Sequence, residues 1–98
     1  MPASISIIVP CYNEEATIGL LLDALLCQTY PRDLMEVIIA DALSQDKTRD
    51  VIAAFQQTHP DLEVQLKENV FRTIPSGLNL AAAAARGEFL VRLDAHCT

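Results

Sequence analysis

Four short apolar runs recur along the 98 residues, each bounded by turn residues and separated from the next by a stretch of helical period. No other feature restricts the fold as much. The runs are Ile5-Ser6-Ile7-Ile8-Val9, Val37-Ile38-Ile39-Ala40, Leu62-Glu63-Val64-Gln65-Leu66 and Phe89-Leu90-Val91-Arg92-Leu93. The first two are almost continuously β-branched, which predicts parallel strands buried on both faces. The third alternates strictly and predicts a sheet edge with one wet face. The order β-α-β-α-β-α-β predicts an α/β fold: an open, mostly parallel sheet with helices on both faces. Residues 1–98 form one such domain, without linker, repeat or charge block.

The intervening stretches supply the helices. Ile18, Leu21, Leu22, Leu25 and Leu26 make an i, i+3, i+4, i+7, i+8 stripe. Asn13 is placed to cap that helix, Glu14 and Glu15 to favour its positive end, and Pro31 to stop it. A second helix carries Thr48, Val51, Ile52 and Phe55 on one face, with Ser44 or Asp46 as cap and Pro60 as stop; His59 sits at its end as a partner for the helix dipole. A third is expected from about Ser76 to Arg86, its alanines packed closely on the sheet, with Gly87 as the C′ residue.

Composition narrows the function. Apolar residues make up 51% and charged residues 20%, which excludes disorder. A formal net charge of −6 argues against nucleic acid or an anionic lipid surface as partner. The three cysteines, Cys11, Cys27 and Cys97, are widely spaced and form no C-x-x-C, so a reducing, cytoplasmic setting is expected. The N-terminus has no basic segment, and no apolar stretch approaches the ~20 residues a membrane span needs. Membrane contact is therefore not expected of this segment, although a longer parent could lie at the cytoplasmic face of a membrane.

In open α/β sheets, ligands bind beyond the carboxyl ends of the strands. Strand one is followed there by Pro10-Cys11-Tyr12-Asn13-Glu14, strand two by Asp41-Ala42-Leu43-Ser44-Gln45-Asp46, and strand four by Asp94-Ala95-His96. Neither G-x-G-x-x-G nor G-x-x-x-x-G-K-[ST] is present, so the backbone cannot wrap a pyrophosphate as dinucleotide enzymes and P-loop proteins do. The remaining way to hold a diphosphate is a divalent cation on carboxylates. Asp94 and His96 leave a strand at i and i+2, on one side, and carboxylate plus imidazole suits Mn²⁺ or Mg²⁺.

At this point the sequence resembles family 2 glycosyltransferases of the GT-A fold. The resemblance is carried in order by Ser6-Ile7-Ile8-Val9-Pro10-Cys11-Tyr12-Asn13-Glu14-Glu15, Gln28-Thr29-Tyr30-Pro31, Glu36-Val37-Ile38-Ile39-Ala40-Asp41 and Ser44-Gln45-Asp46-Lys47-Thr48. It continues through Asn79, Ala85-Arg86-Gly87-Glu88 and Arg92-Leu93-Asp94-Ala95-His96, where the family has its D-x-D motif. It implies the Rossmann-like, nucleotide-binding half of a GT-A domain, similar to bacterial exopolysaccharide transferases. By that resemblance Pro10, Cys11, Tyr12 and Glu14 frame the base and ribose of a nucleotide-diphosphate sugar, with UDP-sugar favoured. Asp41 accepts a base N–H, Arg72 contacts the donor, Asp94 meets the ribose, and Asp94 with His96 holds the metal. The acceptor is a saccharide or a lipid-linked sugar, and the catalytic base is expected beyond Thr98, in a half of the domain that follows. The chain departs from the family pattern at Ala42, where a second acid is usual, at Leu43, where glycine is frequent, and at His96, which replaces the last acid.

Other readings compete. A non-catalytic nucleotide- or metal-binding α/β module would use the same strand ends, but a receiver-type domain needs paired acids after strand one. A nucleotidyltransferase would want a basic, glycine-rich loop there. Taken residue by residue, Asp41 could cap helix two, Tyr12 and Asn13 could serve only turn and cap, and Cys11 reads most simply as a buried thiol.

Overall fold

The computed structural model describes residues 3–27, 30–70 and 74–93. The elements run β1 (Ile5–Cys11), α1 (Ile18–Leu26), a 3₁₀ turn (Arg32–Leu34), β2 (Met35–Asp41), α2 (Thr48–Thr58), β3 (Glu63–Glu68), α3 (Ile74–Ala84) and β4 (Phe89–Arg92). The four strands form one parallel sheet in the order β3-β2-β1-β4. Ile5 pairs with Met35 on one side and Phe89 on the other, and Cys11 with Asp41.

This is the architecture the apolar runs predict. Because both β1 and β2 lie inside the sheet, each presents two faces that must be covered, and a β-branched run satisfies both. On one face Ile7, Val9, Val37 and Ile39 meet Ile18, Leu22 and Leu25 of α1 with Ile52 and Phe55 of α2. On the other, Ile8 and Ile38 receive Ala81 of α3, flanked by Leu78. A methyl side chain at Ala81 lets α3 sit close, whereas Ala82 and Ala83 point to solvent. β3 is an edge strand, as its alternation predicts.

Several local expectations are corrected. Asn13 does not cap α1. It adopts a left-handed backbone, φ 51°, that turns the chain out of β1, and the helix begins only after Thr17. Glu14 and Glu15 therefore precede the first helical turn, where Glu14 supports α1 through its carbonyl, which accepts the N–H groups of Thr17 (3.0 Å) and Ile18 (2.8 Å). The helix closes at Cys27, ahead of Pro31. At α2, Lys47 occupies the cap position, but Asp46 does the capping: its Oδ1 accepts the Thr48 N–H at 2.9 Å. The His59 N–H closes α2 on the Phe55 carbonyl, and its ring lies against Phe55 with centroids 4.7 Å apart. α3 starts and ends two residues earlier than expected, at Ile74 and Ala84.

Gly87 is not a left-handed C′ residue, since no described glycine has positive φ. It is small because it lies on β1. A Cβ there would stand 2.6 Å from the Ser6 nitrogen and 2.8 Å from the Ile5 carbonyl carbon. The approach is fixed by a buried carboxylate. Glu36 Oε2 accepts the Ser6 hydroxyl (2.6 Å) and the Arg86 N–H (2.5 Å), while Gly87 N–H donates to Ser6 Oγ at 2.7 Å. Arg86 extends over Glu36 and Glu63. Burial raises the Glu36 pKa, but the Ser6 hydroxyl, the Arg86 N–H and the Arg86 charge outweigh it and hold the carboxyl below its ordinary value.

Candidate functional site

The carboxyl ends of β1 and β2 are adjacent because the strands pair in register up to Cys11 and Asp41. Each strand then opens into a loop, residues 11–15 and 41–48, and the two loops are bound together by side chains. Three successive N–H groups of the first loop donate into the second: Asn13 to Ser44 Oγ (2.8 Å), Glu14 to Thr48 Oγ1 (2.8 Å) and Glu15 to Asp46 Oδ2 (3.3 Å). The Gln45 N–H returns a bond to Asn13 Oδ1 at 2.8 Å. Each hydroxyl acts as a relay, with Ser44 donating onward to Asp41 and Thr48 to Asp46. The Ala42 N–H bonds the Cys11 carbonyl at 2.9 Å, and the Asn69 N–H bonds the Asp41 carbonyl at 2.7 Å.

Asp41 is the buried acid at the centre. Its side chain is fully enclosed and accepts the Ser44 N–H (2.9 Å), the Ser44 hydroxyl and the Cys11 thiol (3.4 Å), with Arg49 Nε at 3.7 Å. Those donors satisfy the carboxylate and close it to a ligand in this conformation. Arg49 spans the ends of β2 and β3, reaching Glu68 at 3.6 Å and donating to the Ser44 carbonyl at 3.3 Å. Asp46 lies at the loop surface. Its limited desolvation raises its pKa, and the Thr48 hydroxyl and N–H with the Glu15 N–H hold it below the usual carboxylate range.

The structure therefore brings together Pro10, Cys11, Tyr12, Glu14 and Asp41 at one end of the sheet, but with unequal access. Pro10 and Cys11 are buried, Glu14 is half-buried, and Tyr12 is 39% exposed. Burial and the carboxylates of Asp41, Glu14 and Asp46 push the Cys11 thiol pKa far above its ordinary value, so Cys11 is a neutral packing group and weak donor. Arg72, Asp94 and His96 lie outside the described residues, and among the described residues no group of three or more His, Cys, Asp or Glu could hold a metal ion. Leu93, the last described residue, donates its N–H to the Ile8 carbonyl at 3.0 Å, so β4 follows β1 toward this same end. A shallow cleft of about 270 Å³ lies instead at the amino ends of the strands, lined by Ser4, Asp33, Glu36, Glu63, Arg86 and Gly87; it is the groove around the Arg86 bridge and shares no residue with the loop site.

Sequence reasoning placed the loops correctly but missed what holds them. The Ser44, Asp46 and Thr48 oxygens are the parts that fix the first loop. Their signal in the sequence is a run of short polar side chains at i, i+2 and i+4 after a strand.

Comparison with known proteins places this geometry. The family model described as glycosyl transferase family 2 matches residues 6–98. A glucuronosyltransferase of Methanococcus voltae that acts on dolichyl N-acetyl-α-D-glucosaminyl phosphate is 36% identical over 92 residues, covering 94% of this chain and 29% of its own length. The mannosyltransferase PcManGT from Pyrobaculum calidifontis, solved with GDP-Man and Mn²⁺, superposes with a TM-score of 0.92 at 38% identity over 97% of this chain and 28% of its own. S. aureus TarS 1–349 in complex with UDP-GlcNAc superposes with a TM-score of 0.77 at 28% identity, over 94% of this chain and 26% of that one. The chain thus spans under a third of the length of these relatives.

Proposed function

From the premise that this chain belongs to glycosyl transferase family 2, we propose that it binds the nucleotide-diphosphate sugar of an inverting glycosyltransferase that builds a polysaccharide or glycolipid. The observation that carries the reading is the interlock of the two loops at the carboxyl ends of β1 and β2. It presents the exposed Tyr12 ring and the first-loop backbone on a rigid frame, where open α/β sheets take ligands. The superposition on a mannosyltransferase solved with GDP-Man supports nucleotide-sugar binding.

The residues divide the work. Tyr12 offers a face for a base or ribose, and Glu14 lies next to it. Asp41 organises rather than contacts: its carboxylate fixes Ser44, and Ser44 fixes the Asn13 N–H. Arg72 is assigned a contact with the donor on the family resemblance alone. Asp94 and His96, immediately beyond β4, supply carboxylate and imidazole donors of the kind that suit Mn²⁺ or Mg²⁺. A bound divalent cation there would neutralise charge on the departing nucleoside diphosphate. The acceptor hydroxyl of a saccharide or lipid-linked sugar gives its proton to a base beyond Thr98. It then attacks the anomeric carbon opposite the bond that breaks. The base in the nucleotide is proposed as uracil, with guanine the competitor that PcManGT brings into the test.

Calorimetric titration of the chain with UDP, GDP and ADP, with and without Mn²⁺, tests this. The expected result is saturable binding of one nucleoside diphosphate, strengthened by Mn²⁺, with that strengthening lost in Asp94→Ala. A folded chain that binds none of them contradicts the reading. Asp41→Ala should weaken binding of that nucleotide while keeping the preference among bases if Asp41 is an organiser, whereas loss of the preference itself would make it a direct reader of the base.

A further inference from the structure

Asn13 and Leu43, one in each site loop, hold φ of 51° and 60°. Asparagine tolerates that left-handed backbone, whereas a leucine Cβ there crowds the following carbonyl. Such a residue persists only where its surroundings over-determine it. The bonds on Ser44, the next residue, supply the constraint. Its N–H donates to Asp41 Oδ2 at 2.9 Å, and its hydroxyl donates to Asp41 Oδ1. Its carbonyl accepts Arg49 Nη2 at 3.3 Å. Arg49, in the first turn of α2, turns its other two nitrogens to carboxylates. Nε stands 3.7 Å from Asp41 Oδ2, and Nη1 stands 3.6 Å from Glu68 Oε1 at the end of β3.

We propose that Arg49 is a positioning residue for the nucleotide: by holding the Ser44 carbonyl beside the Asp41 carboxylate, it keeps the 41–48 loop in the strained shape that fixes the first loop. The proposal rests on the reading that the nucleotide meets these loops. The path is short. Arg49 fixes Ser44, Ser44 Oγ accepts the Asn13 N–H at 2.8 Å, and Asn13 follows Tyr12 in the chain. The three contacts of Arg49 are unequal. Asp41 is fully buried, so a cation facing it is screened little by solvent. The Glu68 side chain is 62% exposed, so that contact aims the guanidinium and contributes little else. The bond to the Ser44 carbonyl acts on the strained turn itself. Lysine is a poor substitute, because an ammonium is a point charge and lacks the planar fork that spans all three partners.

Amide-resolved hydrogen exchange of the free chain, paired with calorimetric titration by the nucleoside diphosphate that binds, tests the assignment. Arg49→Met keeps the aliphatic stem and removes the guanidinium. It should speed exchange at Asn13, Ser44 and Gln45 by about threefold to tenfold, while Ile38 and Ile39 inside the sheet keep their protection. It should weaken the nucleotide by a similar factor, and Arg49→Lys should recover only part of both losses. Glu68→Gln should change either by less than about twofold. Glycine takes the left-handed conformation about as readily as the right-handed one, so in the Leu43→Gly background the Arg49→Met losses should shrink to about half or less. Protection that falls equally in loop and sheet would make Arg49 a general stabiliser and overturn the proposal. So would loop protection or nucleotide affinity that Arg49→Met leaves unchanged, or losses undiminished in the Leu43→Gly background. A wild-type chain that binds no nucleotide refutes the function proposed above instead, and the exchange comparison still decides whether Arg49 holds the loop.

Discussion

Replacing Gly87 distinguishes two reasons for a glycine at that position. A Cβ there would sit 2.6 Å from the Ser6 nitrogen, 2.6 Å from its Oγ and 2.8 Å from the Ile5 carbonyl carbon, where ordinary contact begins at 3.4 Å. Two of these atoms are backbone of β1, the strand held between β2 and β4, and cannot rotate away. The loop must instead back off by about 0.8 Å, the difference between 3.4 and 2.6 Å. Overpacking of this kind costs about 1–3 kcal/mol. Loss of the Gly87 N–H bond to Ser6 Oγ adds about 0.5–1.5 kcal/mol. Gly87→Ala should therefore lose about 1.5–4.5 kcal/mol in urea unfolding, a drop in Tm of roughly 6–36 °C for a domain of this size. Gly87→Asn is the discriminating variant. Asparagine is well tolerated at a left-handed C′ position, but here its Cβ meets the same backbone, so it should cost at least as much as alanine. A Gly87→Asn protein within about 0.5 kcal/mol of wild type, beside a damaged Gly87→Ala, would refute the close-approach argument.

Three further outcomes follow from the same geometry. Leu43 holds φ 60° where the family resemblance places glycine; Leu43→Gly relieves that strain while loosening the unfolded chain, so stability should stay level or rise by up to about 1 kcal/mol in thermal melts, and a loss above that would deny the strain. Thr48→Val leaves the Glu14 N–H without its acceptor inside the loop interlock and should cost about 1–3 kcal/mol and weaken nucleotide binding, whereas Thr48→Ser should retain both; equal behaviour of the two variants in calorimetry would remove the hydroxyl from the account. Glu36 is held below its ordinary value of 4.5, so its contribution is present above that pH and is lost as pH falls from about 4.5 through the lower folded value. Urea midpoints measured from pH 6 to pH 3 should fall over that window, and Glu36→Gln should flatten the fall; an unchanged slope would show that Glu36 does not carry it.

The fold was legible because burial on two faces leaves a direct mark on composition: β1 and β2 had to be internal, and Ile18, Leu22 and Leu25 had to face them. What stayed hidden depended on contacts between distant residues. Asn13 looks like a helix cap by its local position, yet its side chain is spent on Gln45, 32 residues on. Glu36 stands at the start of a strand, where an acid reads as solvated, and only Ser6, Arg86 and the close-packed Gly87 make its burial tolerable. The site loops were legible from the rule that ligands bind at strand carboxyl ends. The enclosure of Asp41 by Ser44 and Cys11 was not, because no spacing shows which acceptors a buried carboxylate has already filled.

The central claim is that a nucleoside diphosphate and its cation meet the chain at the carboxyl ends of β1, β2 and β4. The most direct measurement is an amide-resolved NMR titration with the nucleotide that binds, first with Mg²⁺ and then with a trace of paramagnetic Mn²⁺. The account predicts shifts in residues 11–15 and 41–48, and Mn²⁺ broadening strongest past Leu93. Glu36, Arg86 and Gly87, at the other end of the sheet, should remain sharp. Broadening centred on Arg86, or none that depends on nucleotide, would contradict it.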